Sequence, residues 1–389
     1  MNALHRTLIT DIVAVASFAG VLAAQTVVVG TGDPDIDIAA VQTAVDRGGS
    51  VVLRGHFSFD NPPARRGALP DLMATILVSN EVTISGAWDE HGEMTAIDGG
   101  VIPFAVEAHG SRVRIERLRF VRPKLFAIFV DEVNGLEIES CAIEGVDPLP
   151  LPGASSGMSF GLGIYVSTVL GLPTPERPGN PGNVSGKLSI LNNQISLDVA
   201  ADRGVGIMIV GVGNLEKRVE VDISGNTTRD STLKGINVTQ IGGQAHIERN
   251  NVSMSVISAR HVGNSGIFCA GSGSYRIAYN LISVADPNAA GIRIRDFPEL
   301  GAAIERATIT DNDVTMSAPD GAVLGAGSAG IEIKGLARGT VVQRNRIRGR
   351  ARAGLSMLPA KAGNPTGSTL DRNDQEHFIS TLTNPGKQQ

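Results

Sequence analysis

Residues 235–250 read GINVTQIGGQAHIERN and contain both patterns that decide the fold. The first pattern is a glycine followed by alternating apolar and other residues, as in Gly235-Ile236-Asn237-Val238. The second is an apolar residue with an asparagine three positions later, as in Ile247 and Asn250. Because alternation with a period of two places every second side chain on one face, both patterns predict short strands with one buried side.

Both patterns recur in turn along the chain. The first has its glycine at Gly163, Gly206, Gly235, Gly266, Gly291, Gly330 and Gly354. The second ends in Asn193, Asn226, Asn250, Asn280, Asn312, Asn345 and Asn373. No helical pattern long enough for a strand–helix–strand unit separates them. Such a repeat predicts a solenoid whose coils stack into long parallel sheets around one continuous apolar core.

The asparagines predict an internal ladder at one corner of each coil. Stacked side-chain amides donate hydrogen bonds to carbonyl oxygens of the neighbouring coil. Asparagine also tolerates the left-handed backbone conformation that a sharp turn between two strands needs. Earlier coils have Ala87, Leu118 and Cys141 in this column instead of asparagine. Counted with them, the pattern predicts about eleven coils.

The repeats and the asparagine column resemble the right-handed parallel β-helix of the pectate-lyase-like (pectin lyase fold) superfamily. The resemblance extends from about Val27 to Phe378 and implies an all-β solenoid with a groove along one sheet. A helix predicted from Asp35 to Arg47, with Asp37 as its N-cap, would close the first coil. The superfamily contains lyases, hydrolases, epimerases and adhesins, so the fold alone assigns no activity.

Length and composition favour one elongated domain. The 389 residues carry a net charge of −5, which favours neither nucleic acid nor a strongly anionic partner. We expect a β-helix domain at 26–378 and a flexible tail at 379–389. Cys141 and Cys269 occupy apolar repeat positions several coils apart, so we expect two buried thiols and no disulfide.

The N-terminal residues 1–25 allow two interpretations. His5 and Arg6, an apolar stretch and small residues resemble a secretory signal peptide, which predicts a secreted or periplasmic protein. Alternatively, these residues cap the open end of the solenoid. No other stretch is long and apolar enough to span a membrane.

Three excursions interrupt the repeat at residues 56–73, 146–161 and 170–186. They are rich in proline, glycine or arginine. Long loops without structure of their own tend to carry function in compact domains. The last two flank the strand that begins at Gly163, so we expect them to wall a groove over the strands of the first pattern.

Outward positions of these strands supply the candidate site residues. One column contains Phe129, Tyr165, Met208, Asn237, Phe268, Arg293, Glu332 and Ser356, and the next contains Asp131, Ser167, Val210, Thr239, Ala270, Arg295, Lys334 and Leu358. Aromatic rings beside polar groups suit a sugar-binding groove. We therefore predict substrate binding by Tyr165, Asn237, Phe268, Asp131 and Glu332.

Catalysis in this groove requires a base and a group that neutralises a carboxylate. Arg293, Arg295 and Lys334 are the predicted catalytic residues. The alternative is structural, because Arg293 would then pair with Glu332 across neighbouring strands and Arg295 would lie beside Lys334. The sequence contains no recognisable metal-binding motif, but Asp131 and Asp296 are candidate ligands for a calcium ion.

Motifs of three related activities do not occur in the chain. The Gly-His-Gly segment and adjacent carboxylates of polygalacturonase-like hydrolases are missing, as is the Asp-Pro-His-Asp segment of alginate epimerases. A pectate-lyase arginine motif is not matched. The sequence therefore predicts an exported carbohydrate-active protein, more in keeping with a lyase acting on an acidic polysaccharide than with a hydrolase. The alternative is a non-catalytic β-helix that binds a glycan or a protein.

Overall fold

The computed structural model describes residues 25–60, 73–150, 159–169, 179–197, 203–255, 263–297, 303–325, 327–335, 339–358, 369–371, 373–375 and 380–383. Within these ranges the chain winds through three long parallel sheets in a fixed order. Each coil passes through sheet 1, then sheet 2, then the asparagine corner and sheet 3. The strand Phe126–Glu139 runs from sheet 1 into sheet 2 and joins the two.

Sheet 1 contains the glycine-led strands. Its parallel strands are Ala74–Val78, Ile102–Glu107, the first half of Phe126–Glu139, Ser159–Ser167, Arg203–Val212, Lys234–Ile241, Ser265–Ala270, Ala290–Arg295, Ala329–Lys334, Ala353–Leu358 and Ser380–Thr383. The short strand Leu149–Pro150 adds to it in antiparallel orientation. The predicted domain end at residue 378 falls just before the last of these strands.

Sheet 2 contains the strands that precede the asparagines. They are Thr26–Val29, Gly49–Arg54, Val82–Gly86, Val113–Glu116, the second half of Phe126–Glu139, Val184–Leu191, Val219–Ser224, Gly243–Glu248, Gly273–Ala278, Ile304–Thr310, Val341–Gln343 and Thr369–Asp371. A short 3-10 helix, Pro181–Asn183, leads into Val184–Leu191.

Sheet 3 follows the asparagine corner, and each coil contributes one strand to it. Its strands are His56–Ser58, Ala96–Asp98, Arg119–Val121, Ala142–Val146, Gln194–Leu197, Thr227–Arg229, Asn251–Met254, Leu281–Val284, Asp313–Ser317, Arg346–Arg350 and Asp374–Gln375. They form one 11-stranded sheet over the described residues, which agrees with the predicted coil number. Parallel strands joined by crossovers are almost always right-handed.

The core lies inside the three sheets and is built from stacked aliphatic side chains. Ile207, Ile236, Ile267 and Ile292 lie in register on successive strands of sheet 1, and all four are fully buried. Burying each such side chain stabilises the fold by about 2 kcal/mol. A glycine precedes each of these isoleucines because the backbone leaves no room there for a side chain. A Cβ on Gly235, for example, would lie 2.2 Å from a Val252 methyl.

The asparagine ladder is present as predicted. Asn250 shows the pattern: its Nδ2 donates to the Ile223 carbonyl in the preceding coil at 2.8 Å and to Asn280 Oδ1 in the next coil at 3.0 Å. Its Oδ1 accepts from the backbone N–H and the Nδ2 of Asn226, both at 3.0 Å. Cys141 occupies the same column, and its backbone N–H donates to Asn193 Oδ1 at 2.9 Å.

One detail of the corner differs from the prediction. The left-handed conformation is taken by the residue before the asparagine, not by the asparagine itself. The φ angles are 56° at Asn192, 55° at Arg249, 59° at Tyr279, 57° at Asp311 and 54° at Arg344. The asparagine keeps an ordinary backbone because its amide must point inward to reach both neighbouring coils.

The N-terminal helix spans Pro34–Asp46 and covers the first coil, as predicted. Ile38, Val41, Ala44 and Val45 join the main core. The N-cap is Asp33, whose side chain accepts from the Asp35 N–H, so the prediction of Asp37 as N-cap is wrong.

Asp37 lies inside the first turn of this helix and is buried. Its carboxylate accepts from the N–H groups of Thr31, Gly32 and Ser58 at 2.8, 3.0 and 2.9 Å. It therefore ties the chain before the helix to the first strand of sheet 3. No helix among the described residues is long and apolar enough to cross a membrane.

Candidate functional site

The two predicted columns lie on the outer face of sheet 1 in the predicted register. Phe129, Tyr165, Met208, Asn237, Phe268, Arg293, Glu332 and Ser356 follow one another as direct partners on neighbouring strands. Arg295 lies beside Lys334 in the second column, as expected. The columns differ from the prediction in exposure, because most of these side chains are buried.

The first half of this face is apolar. Tyr165 is 1% exposed and packs on Phe126 and Phe129, with ring centroids 5.1 and 5.4 Å away. Its hydroxyl donates to the Val169 carbonyl at 3.1 Å. Tyr165, predicted to bind substrate, is therefore enclosed in an apolar cluster that the outward side chains form here.

Asp131 lies at the polar margin of the same region. The carboxyl is buried, and its Oδ1 has no hydrogen-bond partner among the described residues. Burial, reinforced by the nearby Glu107 and Glu132 carboxylates, raises its pKa to about 8. In this environment Asp131 is consequently mostly protonated at neutral pH.

Asn237 and Phe268 begin the second half of the face. Asn237 is buried, and its Oδ1 accepts from the Thr239 hydroxyl at 2.7 Å. Phe268 is also nearly buried, but the ammonium of Lys234 lies over its ring, 3.9 Å from the centroid. A lysine over an aromatic face is a cation–π contact of about 1 kcal/mol or more when it is shielded from water.

Lys234 is the residue that sequence reasoning missed. Burial and the charges of Arg293, Arg203 and Arg295 lower its pKa to about 7. Its position comes just before the signature glycine, where the other coils have Leu162, Val205, Ser265, Ala290, Ala329 and Ala353. A lysine in a column of apolar and small residues was the available signal.

Arg293 and Glu332 form a buried ion pair. Arg293 Nε lies 2.6 Å from Glu332 Oε1, and the two side chains are 6% and 4% exposed. The remaining guanidinium nitrogens donate to the carbonyls of Asn264 at 3.1 Å and Gly327 at 3.2 Å. The ion pair with Glu332 that was the structural alternative for Arg293 is therefore present.

Arg295 and Lys334 are only partly buried at the open side of the face. The guanidinium of Arg295 lies over the Phe297 ring, 4.9 Å from its centroid. The neighbouring carboxylate, Asp296, is buried and accepts from the Ile304 N–H at 2.9 Å. The two cations thus lie on adjacent coils, about 4.8 Å apart along the solenoid.

Several buried polar atoms near Lys234 have no partner among the described residues. They are Arg203 Nε, Ser231 Oγ, Asn264 Oδ1 and Ser265 Oγ. Ser265 lies directly beside Lys234 in the register, and Arg203 extends over the Phe160 ring, 5.3 Å from its centroid. Orphaned buried groups of this kind indicate a place that water or a ligand fills.

The remaining predictions concern the three excursions, the N-terminal residues, a metal site and the two cysteines. The central parts of the three excursions, 61–72, 151–158 and 170–178, lie outside the described residues, as do residues 1–24. Among the residues that are described, no group of three His, Cys, Asp or Glu side chains is placed to hold a metal ion. Cys141 and Cys269 are buried free thiols, as predicted.

Comparison with known proteins adds little beyond the fold. Neither a family model nor a curated protein matches the chain. The structure is similar to the A-module of the Azotobacter vinelandii mannuronan C-5 epimerase AlgE4, with 13% identity, a TM-score of 0.39 and coverage of 92% of this chain and 96% of that one. The A-module of the Azotobacter vinelandii mannuronan C-5 epimerase AlgE6 is similar as well, with 14% identity, a TM-score of 0.35 and coverage of 92% of this chain and 94% of that one.

At these TM-scores the similarity carries no argument about activity. The strand register, the three parallel sheets and the asparagine ladder establish the architecture by themselves. The chain is a right-handed parallel β-helix, with a group of cations and aromatic rings on the outer face of sheet 1.

Proposed function

We propose that the protein binds an acidic polysaccharide on the outer face of sheet 1 and cleaves it by β-elimination. The observation that carries this proposal is Lys234, whose ammonium lies on the Phe268 ring among Arg203, Arg293 and Arg295. A group of cations on one face attracts an anionic chain. Within this group Arg293 is paired with Glu332.

The chemistry of elimination fits a lysine in this setting. In a uronate residue the base removes the proton at C5, the C5–H electron pair forms the C4=C5 double bond, and the C4–O bond breaks. The leaving oxygen then takes up a proton. A lysine is a base only when it is neutral, and desolvation beside other cations is the usual way to reach that state near pH 7.

The predicted site residues receive different roles in this proposal. Arg295 and Lys334, which are partly exposed, bind sugar carboxylates, and Phe268 supports the lysine from below. Arg293 contributes positive charge while Glu332 fixes its orientation. Tyr165, Asn237 and Asp131 are buried and shape the face from beneath rather than contacting sugar directly.

The test is an absorbance assay for unsaturated sugar ends on purified protein, with and without calcium, across a panel of acidic polysaccharides. Lys234→Ala is expected to lower the rate about 100-fold or more, the usual contribution of a general base. The control is Lys124→Ala, a partly buried lysine outside the cation group. The wild-type rate should rise with pH through about 7 as Lys234 loses its proton.

Two outcomes would contradict the proposal. One is a measurable elimination rate in the wild type that Lys234→Ala leaves unchanged. The other is the absence of unsaturated product from every acidic polysaccharide tested. Appearance of new reducing ends without absorbance would indicate hydrolysis instead.

A second candidate function is non-catalytic glycan binding. It is favoured by the Arg293–Glu332 pair, because the nitrogens of this guanidinium are already bonded within the protein and contribute positive charge to the face rather than chemistry. A protein that is retained on an acidic polysaccharide and releases neither unsaturated nor reducing ends would belong to this class. In both cases an exported protein would meet such polymers, and N-terminal sequencing of the mature protein tests export.

A further inference from the structure

The turn that leads from sheet 3 into sheet 1 at Lys234 contains two buried hydroxyls that lack an acceptor. Ser231 precedes the strand Lys234–Ile241, and Ser265 begins the next strand of sheet 1, where it is the direct register partner of Lys234. Both serines are fully buried, and neither Oγ has a hydrogen-bond partner among the described residues. Because an unsatisfied buried hydroxyl is costly, something other than these residues must bond to it.

Arg203 is brought to the same turn from the preceding coil. Thr232, which follows Ser231, accepts through its Oγ1 from the N–H of Gly204, which follows Arg203, at 2.7 Å. Arg203 Nε is buried and also lacks a hydrogen-bond partner in the described part of the chain. Neighbouring coils are about 4.8 Å apart, so one small ion at the coil of Lys234 would lie close to the groups on both sides.

Two cations of this turn have no carboxylate of their own. Lys234 and Arg203 are partly buried, and within the described ranges neither forms an ion pair within 4.0 Å. Their charged groups lie over the rings of Phe268 and Phe160, at 3.9 and 5.3 Å from the centroids. A ring face attracts a cation but carries no net charge that would neutralise it.

The electrostatic field at the Lys234 ammonium is positive. The charges that lower the pKa of Lys234 are those of Arg293, Arg203 and Arg295. The carboxylates of the surrounding turns are bonded to other groups: Glu332 pairs with Arg293 at 2.6 Å, Asp286 accepts from Asn264 Nδ2 at 2.6 Å, Asp296 accepts from the Ile304 N–H at 2.9 Å, and Asp230 accepts from the Ser255 hydroxyl at 2.8 Å. A small anion at this turn would therefore be attracted.

The enclosure of the two hydroxyls limits the size of that anion. Ser231 and Ser265 are fully buried, so a sugar ring does not reach them, whereas a single ion can pass the partly buried Lys234. Hydroxyl, ammonium and Nε–H groups can all donate to one spherical acceptor. Asn264 Oδ1 is a buried acceptor without a partner among the described residues, and it suits a water molecule bound beside the ion.

We propose that a halide ion, chloride in ordinary salt solutions, binds at this turn and accepts hydrogen bonds from Ser231, Ser265, Arg203 and Lys234. The binding itself goes beyond the function proposed for sheet 1, while its consequence rests on that function. An anion beside the ammonium favours the charged form of Lys234, so chloride should slow a reaction in which this lysine is the base.

The test compares sodium chloride with sodium gluconate at constant ionic strength and about pH 6, without polysaccharide. In the wild type, chloride should cause a saturable broadening of the chloride NMR line and a saturable rise in melting temperature. Ser265→Ala is expected to weaken chloride binding about tenfold, the usual effect of losing one hydrogen bond to a charged group. Binding should also weaken as the pH rises through about 7, because Lys234 loses its proton.

Ser189→Ala, at a buried serine on sheet 2, is the matched control and should bind chloride as the wild type does. Equal chloride binding by the wild type and Ser265→Ala would overturn the proposal and indicate an adventitious ion only. Identical behaviour of the wild type in chloride and gluconate would also overturn it, since water alone would then fill the turn. Should Ser265→Ala misfold, Lys234→Met is the second variant, and it is expected to abolish the chloride effect.

The elimination assay in gluconate reports separately on the function proposed for sheet 1. The expected result is a rate at about pH 7 that chloride lowers in the wild type and leaves unchanged in Ser265→Ala. Bound chloride without any effect on the wild-type rate would overturn the regulatory consequence. Absence of elimination in gluconate would contradict the function of sheet 1 alone, because chloride binding is measured without substrate.

Discussion

At the scale of single residues, the outer face of sheet 1 holds two titratable groups whose ordinary charge is suppressed. Lys234 approaches neutrality near pH 7, and Asp131 remains protonated until about pH 8. Both shifts have burial as their first cause, and nearby like charges add to it. Perturbed groups of this kind concentrate at functional sites, although structural burial produces them as well.

Asp131 makes a prediction about stability and pH. The pKa of its carboxyl is 3.8 by reference and about 8 in the fold, so the folded state holds one more proton between these values. The free energy of unfolding should therefore fall by about 1.4 kcal/mol per pH unit from this group as the pH rises from about 4 to about 8.

Asp131→Asn removes this contribution, because an amide does not titrate. Urea unfolding at several pH values should show a smaller decline in the variant than in the wild type, with the difference confined to that window. Parallel curves for the two proteins would show that Asp131 is ionised in the fold. Other groups titrate equally in both proteins and cancel in the comparison.

At the scale of elements, the asparagine corner is the turn that leads from sheet 2 to sheet 3. In each corner one residue has a strained backbone, and the asparagine that follows it makes hydrogen bonds to the neighbouring coils. The residues before the asparagines adopt positive backbone φ angles, which residues other than glycine rarely take. The ladder compensates, because each interior amide bonds to the coil on either side.

Asn280→Ala tests the ladder. The substitution removes the buried hydrogen bonds that Asn280 makes to the Ile247 carbonyl, to the Asn250 backbone N–H and to one of the two hydrogens on Asn250 Nδ2. We expect a loss of roughly 3 kcal/mol in the free energy of unfolding, since each buried unsatisfied group costs about 1–3 kcal/mol. The matched control is Asn251→Ala, at the neighbouring exposed position of sheet 3. Similar losses in both variants would argue against a ladder that carries stability.

At the scale of the whole molecule, the N-terminal helix closes one end of a solenoid. An uncovered end exposes core side chains and the unpaired backbone groups of edge strands. Val41 and Val45 fill this end, and Gln42 bonds the backbone of Leu77 on the first strand of sheet 1 through both of its side-chain atoms, at 2.8 and 2.9 Å. The helix therefore covers both the core and an edge.

Val41→Asp should detach the helix, because a charge at this position has no partner in the core. The expected result is association of the protein through the uncovered end, seen as species above 40.5 kDa by light scattering. Thr43→Asp, on the exposed side of the helix, is the control and should remain unaffected. A monomeric Val41→Asp protein with unchanged stability would contradict the capping role.

The sequence by itself determined the solenoid, the coil number, the register of sheet 1 and the place of the ladder. Each depends on a short repeat whose period of two separates inward from outward side chains, as Ile236 and Asn237 illustrate. Neighbouring coils then place equal repeat positions side by side, so even the contact between Arg293 and Glu332 was predictable.

Only the tertiary structure decided which outward side chains are buried. Exposure depends on the packing around each side chain, which does not follow the repeat. Tyr165 is therefore enclosed while Arg295 and Lys334 remain partly open. The lowered pKa of Lys234 arises from burial and from charges on two other strands, Arg293 and Arg295 on one and Arg203 on the other, which no single stretch of sequence brings together.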